Sequence, residues 1–193
     1  RKPADEFDAY ARLRLGEYNK VRVDGMVNVP LSEDVALRVN GVWNESDGWV
    51  EDAATGKDLW PEENWAMRAA LKWDLSEATS ATLTWDHDEL DQLARPAIGL
   101  VALGEADVRA PFPADPATYL DPLDAPVYND VVGNEESRTF DGLTLFIDRE
   151  FGWADLRSTT AWRKFDSVNR EDEDGTNRVS LYFDTANIED NDS

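Results

Sequence analysis

Residues 21–44 read VRVDGMVNVPLSEDVALRVNGVWN. In the first half Val21, Val23, Gly25, Val27 and Val29 take the odd positions, and Lys20, Arg22, Asp24, Met26 and Asn28 the even ones. Pro30-Leu31-Ser32-Glu33-Asp34 breaks the run, and Val35, Leu37, Val39, Gly41 and Trp43 then alternate with Ala36, Arg38, Asn40, Val42 and Asn44. A period of two marks a strand with two unlike faces, and two such runs across a short polar link mark an antiparallel pair.

The same alternation extends in both directions. Phe7, Ala9, Ala11, Leu13 and Leu15 oppose Asp8, Tyr10, Arg12, Arg14 and Gly16, and the cluster 16–19 reads as a turn. Trp65, Met67, Ala69, Leu71 and Trp73 oppose Ala66, Arg68, Ala70, Lys72 and Asp74. Ala81, Leu83 and Trp85 oppose Thr82, Thr84 and Asp86. Leu143, Leu145 and Ile147 share one face of a sixth run, with Phe146 on the other, and Leu156, Ser158, Thr160 and Trp162 share a face of a seventh. The strands expected are thus about seven, roughly 7–16, 20–30, 35–45, 64–75, 79–88, 138–148 and 153–166, with a short extra strand possible at Val179 to Phe183.

The links alternate in length. Those at 30–34, 75–79 and 148–152 are short, and those at 45–64, 88–136 and 166–193 are long. Residues 88–136 hold six of the nine prolines and no period. An up-and-down meander sends alternate links to opposite ends of the sheet, so short turns gather at one end and long loops at the other. Only the tight turn at 16–19 departs from this. That layout is the one of outer-membrane barrels.

Composition excludes several classes. The chain has 193 residues, with 41 acids against 19 bases and a formal net charge of −22. Nucleic acid, which needs a basic footprint, is not an expected partner. With no cysteine there are no disulfides or thiolate sites, and one histidine, His87, argues against His-rich metal centres and a catalytic triad. The longest uncharged apolar stretch, Ala97 to Gly104, is far short of the roughly 18 residues of a spanning helix. Eight tryptophans are many for so polar a chain. Trp43 and Trp65 fall at the long-loop ends of their strands and Trp73 at the short-turn end, where a bilayer interface would favour them.

The bases of the first four strands, Arg12, Arg14, Lys20, Arg22, Arg38, Arg68 and Lys72, all have even parity, while the opposite face is uncharged. A soluble sandwich must cover that apolar face with a second layer, yet no amphipathic helix is evident and every strand continues one meander. In a membrane barrel, lipid covers it. Seven strands cannot close a barrel, since open edges in lipid are prohibitive. The chain also begins at Arg1 without an initiator Met or signal peptide. The expectation is an all-β, antiparallel, incomplete segment of a transmembrane β-barrel.

Lys2-Pro3 with Glu6-Phe7, then Gly16-Glu17-Tyr18-Asn19, then Val27-Asn28-Val29-Pro30-Leu31-Ser32 with Val35-Ala36-Leu37-Arg38, resembles the start of the barrel in TonB-dependent outer-membrane receptors. Asp47-Gly48-Trp49-Val50, Asn64-Trp65-Ala66-Met67-Arg68-Ala69, Ala81-Thr82-Leu83-Thr84 and Ser158-Thr159-Thr160-Ala161-Trp162-Arg163 are similar to the same family. The resemblance runs in order over almost the whole chain and is weakest across 88–136 and 166–193. It implies a bacterial outer-membrane protein with a large barrel, the class of about 22 strands with a plugged lumen. Lys2-Pro3 would be the joint between an N-terminal plug domain and the first strand. Implied partners are that plug and the remaining strands of the same protein, the TonB complex acting through the plug, outer-membrane lipid and lipopolysaccharide, and a scarce small-molecule ligand such as a ferric siderophore or other metal chelate. No cofactor is implied.

No catalytic constellation stands out, and an enzyme is not expected. Glu171-Asp172-Glu173-Asp174-Gly175 lacks the ligand spacing and closing Glu of an EF-hand and reads as a solvated loop. His87 between Asp86 and Asp88 reads as a polar strand end. Arg12, Arg14, Arg22, Arg38, Arg68 and Lys72 would line the lumen, either as ordinary polar wall or as partners for plug carboxylates or an anionic ligand. Trp49, Trp60, Tyr119 and Tyr128, in the long outer loops, are the aromatic candidates for ligand contact. Two alternatives stay open: a soluble secreted β-sandwich binding carbohydrate, and a segment of a non-specific porin.

Overall fold

The computed structural model describes residues 2–98, 126–173, 175 and 182–192, the last segment by its backbone alone. Its regular structure is entirely β among the described residues. The strands are β1 (Asp8–Leu15), β2 (Val21–Pro30), β3 (Val35–Ser46), β4 (Val50–Glu51), β5 (Asp58–Leu59), β6 (Glu62–Ser76), β7 (Thr79–Gln92), β8 (Glu135–Phe151), β9 (Ala154–Asp172) and β10 (Tyr182–Asp192). β1, β2, β3, β6, β7, β8, β9 and β10 form one antiparallel sheet in chain order, and β4–β5 is a separate two-stranded hairpin. The large sheet is an open meander with β1 and β10 at its edges.

The seven alternating runs are the first seven strands of this sheet. The register keeps parity, so the two faces stay distinct across it. One row runs Val39, Ala69, Trp85, Leu143, Trp162, and the row nearer the long loops runs Val23, Trp43, Trp65, Glu89. The face carrying these rows is uncovered: Leu13, Val23, Trp43, Trp65, Leu71, Trp73, Leu83, Leu143 and Trp162 are all exposed. No second layer packs on them among the described residues, as a β-sandwich would require. From Trp65 to Trp73 is eight residues, about 26 Å along a strand and about 20 Å along the normal at the usual tilt. That is close to the roughly 25 Å outer band of a membrane barrel. The aromatic banding is partial, since Trp85 and Trp162 stand in the middle row.

The strands are longer than the alternation indicates, mostly toward the long loops. β7 continues to Gln92, β8 begins at Glu135 and β9 continues to Asp172. The region 166–193, expected as loop, instead holds the end of β9 and an eighth strand. Val179 of the short strand considered there lies outside the described residues, while Tyr182 and Phe183 begin β10. The reason is physical. Beyond the Trp43–Trp65 row both faces carry mainly polar side chains, so the hydrophobic period disappears while the backbone ladder continues. Polar pairs then join the strands: Gln92 donates to Glu136 at 3.0 Å and Arg138 to Asp88 at 2.8 Å.

The buried residues of a single sheet are few, and they mark where something lies on it. Asn28, Ala36, Arg38, Ala70 and Thr82 are buried on the polar face, along a track from β2 to β7. The segment preceding β1 covers that track. Asn28 holds Ala4 and Glu6, Lys72 lies 3.5 Å from Asp5, and Lys2 reaches Asp148 on β8 at 3.1 Å. The N-terminal segment therefore crosses the inside of the wall near its short-turn end.

Candidate functional site

The polar face is concave and encloses an open cavity of about 1040 Å³, lined from Tyr10 and Arg14 on β1 to Thr159 and Arg163 on β9. The structure places Arg12, Arg14, Arg22, Arg38, Arg68 and Lys72 on this one face, because their even parity is preserved through the register. It does not gather them into one cluster.

Arg12, Arg14 and Arg22 surround a single carboxylate, Asp24, at 3.8, 3.3 and 4.0 Å. Arg14 and Arg22 are directly opposite in register, a like-charge pair that is unfavourable unless an anion intervenes. Arg68 is paired with Asp86 one strand away. Lys72 contacts Asp74 at 2.7 Å as well as Asp5. Arg38 is 8% exposed beneath the N-terminal segment, and its Nε has no hydrogen-bond partner.

At the long-loop end, β4 and β5 form a hairpin organised by Asp52, which is buried. Its carboxylate accepts from the Ala54 amide at 3.0 Å and the Thr55 hydroxyl at 2.5 Å, while its own amide donates to Lys57. Gly48 passes so close to Leu59 that an added Cβ would stand 2.1 Å from the Leu59 carbonyl oxygen. This approach, together with a left-handed Trp60 (φ 63°), brings Trp49 and Trp60 together with ring centroids 5.4 Å apart. Trp49 is largely exposed. The Ala53 amide donates to the Val127 carbonyl at 2.8 Å, which ties the hairpin to the segment bearing Tyr128. Tyr119 lies outside the described residues. Sequence reasoning thus put Trp49 and Trp60 on one loop but missed Asp52, whose role rests on a local Asp-turn and a distant strand bridge.

Glu62, three residues beyond Trp65 toward the long loops, receives Lys20 at 2.5 Å and Asn44 at 2.6 Å. The Lys20 hydrogen bond, followed by that from Asn44, holds its carboxyl below the ordinary range. His87 is on the apolar face, not beside Asp86 and Asp88. Its Nδ1 is 2.8 Å from Asp141 and its ring lies 4.6 Å from Trp65 and 5.8 Å from Trp85. Among the described residues no three His, Asp or Glu side chains are arranged to hold a metal ion.

No protein-family model and no curated protein matches the sequence. Among solved structures, the chain is similar to the ferric-catecholate import receptor Fiu from E. coli K12 in its closed form, with a TM-score of 0.67 and 17% identity. The match covers 98% of this chain and 27% of that receptor, so the chain spans about a quarter of the receptor's length. The likeness is one of fold.

Proposed function

We propose that the chain is part of the barrel wall of a TonB-dependent outer-membrane receptor, which imports a scarce ligand such as a ferric siderophore. One observation carries this reading: the sheet has an uncovered apolar outer face, while on its polar inner face it is already crossed by its own N-terminal segment. A wall with lipid outside and polypeptide inside needs both features, and an empty porin wall needs only the first. The fold likeness to an import receptor and the family motifs support the same reading.

In this role the wall performs no covalent chemistry. The outer hairpin with Trp49 and Trp60 would make first contact with the ligand, a rigid aromatic pair needing little ordering on binding. The plug would block the lumen until TonB acts on it. The test is fractionation of the complete encoded polypeptide, followed by uptake of a labelled ferric siderophore in cells with and without TonB. Heat-modifiable migration in the outer-membrane fraction and TonB-dependent uptake are expected. A soluble protein overturns the reading, and a barrel passing solutes regardless of TonB replaces it with a porin.

A further inference from the structure

The outer hairpin has two unlike faces. Its register sets Val50 opposite Leu59 and Glu51 opposite Asp58. Alternation carries Trp49 and Trp60 to the same face as Glu51 and Asp58, and sends Asp52 and Lys57 to the other. That other face is packed, with Leu59 and Asp52 buried. The hairpin is held from both sides: the Asp47 amide donates to the Tyr18 carbonyl at 2.9 Å, and the Ala53 amide to that of Val127 at 2.8 Å. The Trp49 face is open. Trp49 is 57% exposed, and Glu51 and Asp58 beside it are exposed as well.

The open face combines an aromatic pair with an unbalanced charge. Glu51 and Asp58 are like charges directly opposite one another, an arrangement that costs stability unless a cation comes between them. Neither forms an ion pair among the described residues, and Lys57, the one base of the hairpin, alternates to the packed face. The adjoining indoles, 5.4 Å apart, present the aromatic surface that attracts cations best. The surroundings have the same sign. Residues 45–63 hold seven carboxylates and one base, and residues 88–136 hold eleven carboxylates and two bases. Such a field concentrates cations at the mouth and repels anions.

We propose that this face selects a ferric chelate of net positive charge, with Glu51 and Asp58 as specificity-determining residues and the Trp49–Trp60 pair as its platform. The proposal deepens the reading of the hairpin as the ligand's first contact and rests on it. Coordination chemistry then separates the ligand classes. Catecholate groups are dianions, so three of them leave iron(III) strongly negative, and the acidic face rejects the complex. Hydroxamates are monoanions, so three of them leave iron(III) neutral, and a free ammonium group on the same chelator makes the complex a cation. A ferric trishydroxamate with a free ammonium group therefore suits both the carboxylates and the indoles. The likeness to the ferric-catecholate receptor is one of fold, at 17% identity, and carries no ligand preference to this hairpin.

The test uses the complete encoded polypeptide in the outer membrane of cells with and without TonB. Binding and uptake are measured for three radioiron chelates: a linear trishydroxamate with a free ammonium group, the same chelator with that amine acetylated, and a tris-catecholate. The first two differ only in charge. Wild type is expected to bind the cation roughly tenfold more tightly than the acetylated form, and the tris-catecholate most weakly. Glu51→Gln with Asp58→Asn should abolish the preference for the cation and leave binding of the acetylated form unchanged. Glu51→Lys should invert it, and added salt should narrow it. Equal binding of the two trishydroxamates by wild type overturns the proposal whatever the variants do. So does tightest binding of the tris-catecholate, or a preference that survives in the double variant. TonB-dependent uptake that ignores charge sinks this proposal and leaves the receptor reading standing. A barrel that takes up none of the three chelates in a TonB-dependent way removes both.

Discussion

Asn28 and Ala4 bind each other in both directions: the Ala4 amide donates to Asn28 Oδ1 at 3.0 Å, and Asn28 Nδ2 donates to the Ala4 carbonyl at 2.8 Å. The side-chain amide acts as one rung of a β-ladder, on a residue with no solvent exposure. Its Nδ2 also donates to the Glu6 carbonyl at 2.6 Å. Asn28→Ala strands three backbone groups and should cost about 1–3 kcal/mol in local stability. Asn28→Asp keeps the acceptor but sets a carboxylate against two carbonyls, and should cost at least as much. Hydrogen exchange at the Ala4 amide checks both: fast exchange in the two variants, with β2–β3 amides unchanged, is the expected result.

Adjacent residues of β8 should respond in opposite ways to the same charge. Leu143 is in the middle row of the exposed apolar face, and Thr144 lines the inner cavity. Leu143→Arg should lower folding stability in lipid vesicles by about 2–4 kcal/mol, while Thr144→Arg should stay within about 1 kcal/mol of wild type. Equal effects in a denaturant titration would contradict the assignment of the two faces.

The outer hairpin depends on close approach at Gly48. Gly48→Ala drives a methyl group into the Leu59 backbone and should destabilise the hairpin by about 1–3 kcal/mol. The Asp52 amide, which donates to Lys57, should then exchange faster, and the Trp49–Trp60 contact should be lost. Ligand affinity of intact cells should fall while barrel yield does not.

Glu62 links three strands by accepting from Lys20 ahead of β2 and from Asn44 on β3. Its folded carboxyl is held below the ordinary 4.5. A lowered carboxylate contributes stability that is full above the ordinary value and lost as pH falls through the lowered one. The contact should therefore be intact at pH 6 and weaken only below the ordinary glutamate range. Both Lys20 and Glu62 are substantially exposed, so added salt should also weaken it. Carboxylate NMR should show a single low-pH step for Glu62. Glu62→Gln should remove that step and leave the outer end of β6 insensitive to acid.

Much of this architecture is legible in residues 7–88 because the two faces carry unlike side chains there. Leu37 and Leu71 are register partners on the apolar face, as their odd parity requires. Strand ends were less legible. Glu89 continues β7 on the same face as Trp85, and it caps the Trp65 indole at 3.1 Å, yet in sequence it reads only as a charge after the last apolar residue. The partner of His87 is illegible for a related reason. Its sequence neighbours Asp86 and Asp88 point to the opposite face, and its true partner, Asp141, lies 54 residues away on β8.

Side-chain parity, the order of the strands and the uneven loop lengths follow from local residue choice, because a strand's two faces and a turn's backbone are settled over a few neighbouring residues. Which charges are matched does not follow from it. Arg22, Arg38 and Arg68 look alike in sequence, but Arg68 has Asp86 beside it while Arg38 lies buried and unpaired under Ala4 to Glu6. Such a difference arises from pairing between strands and from the path of the N-terminal segment across the wall. Both are set by contacts between residues far apart in the chain, where no local period records them.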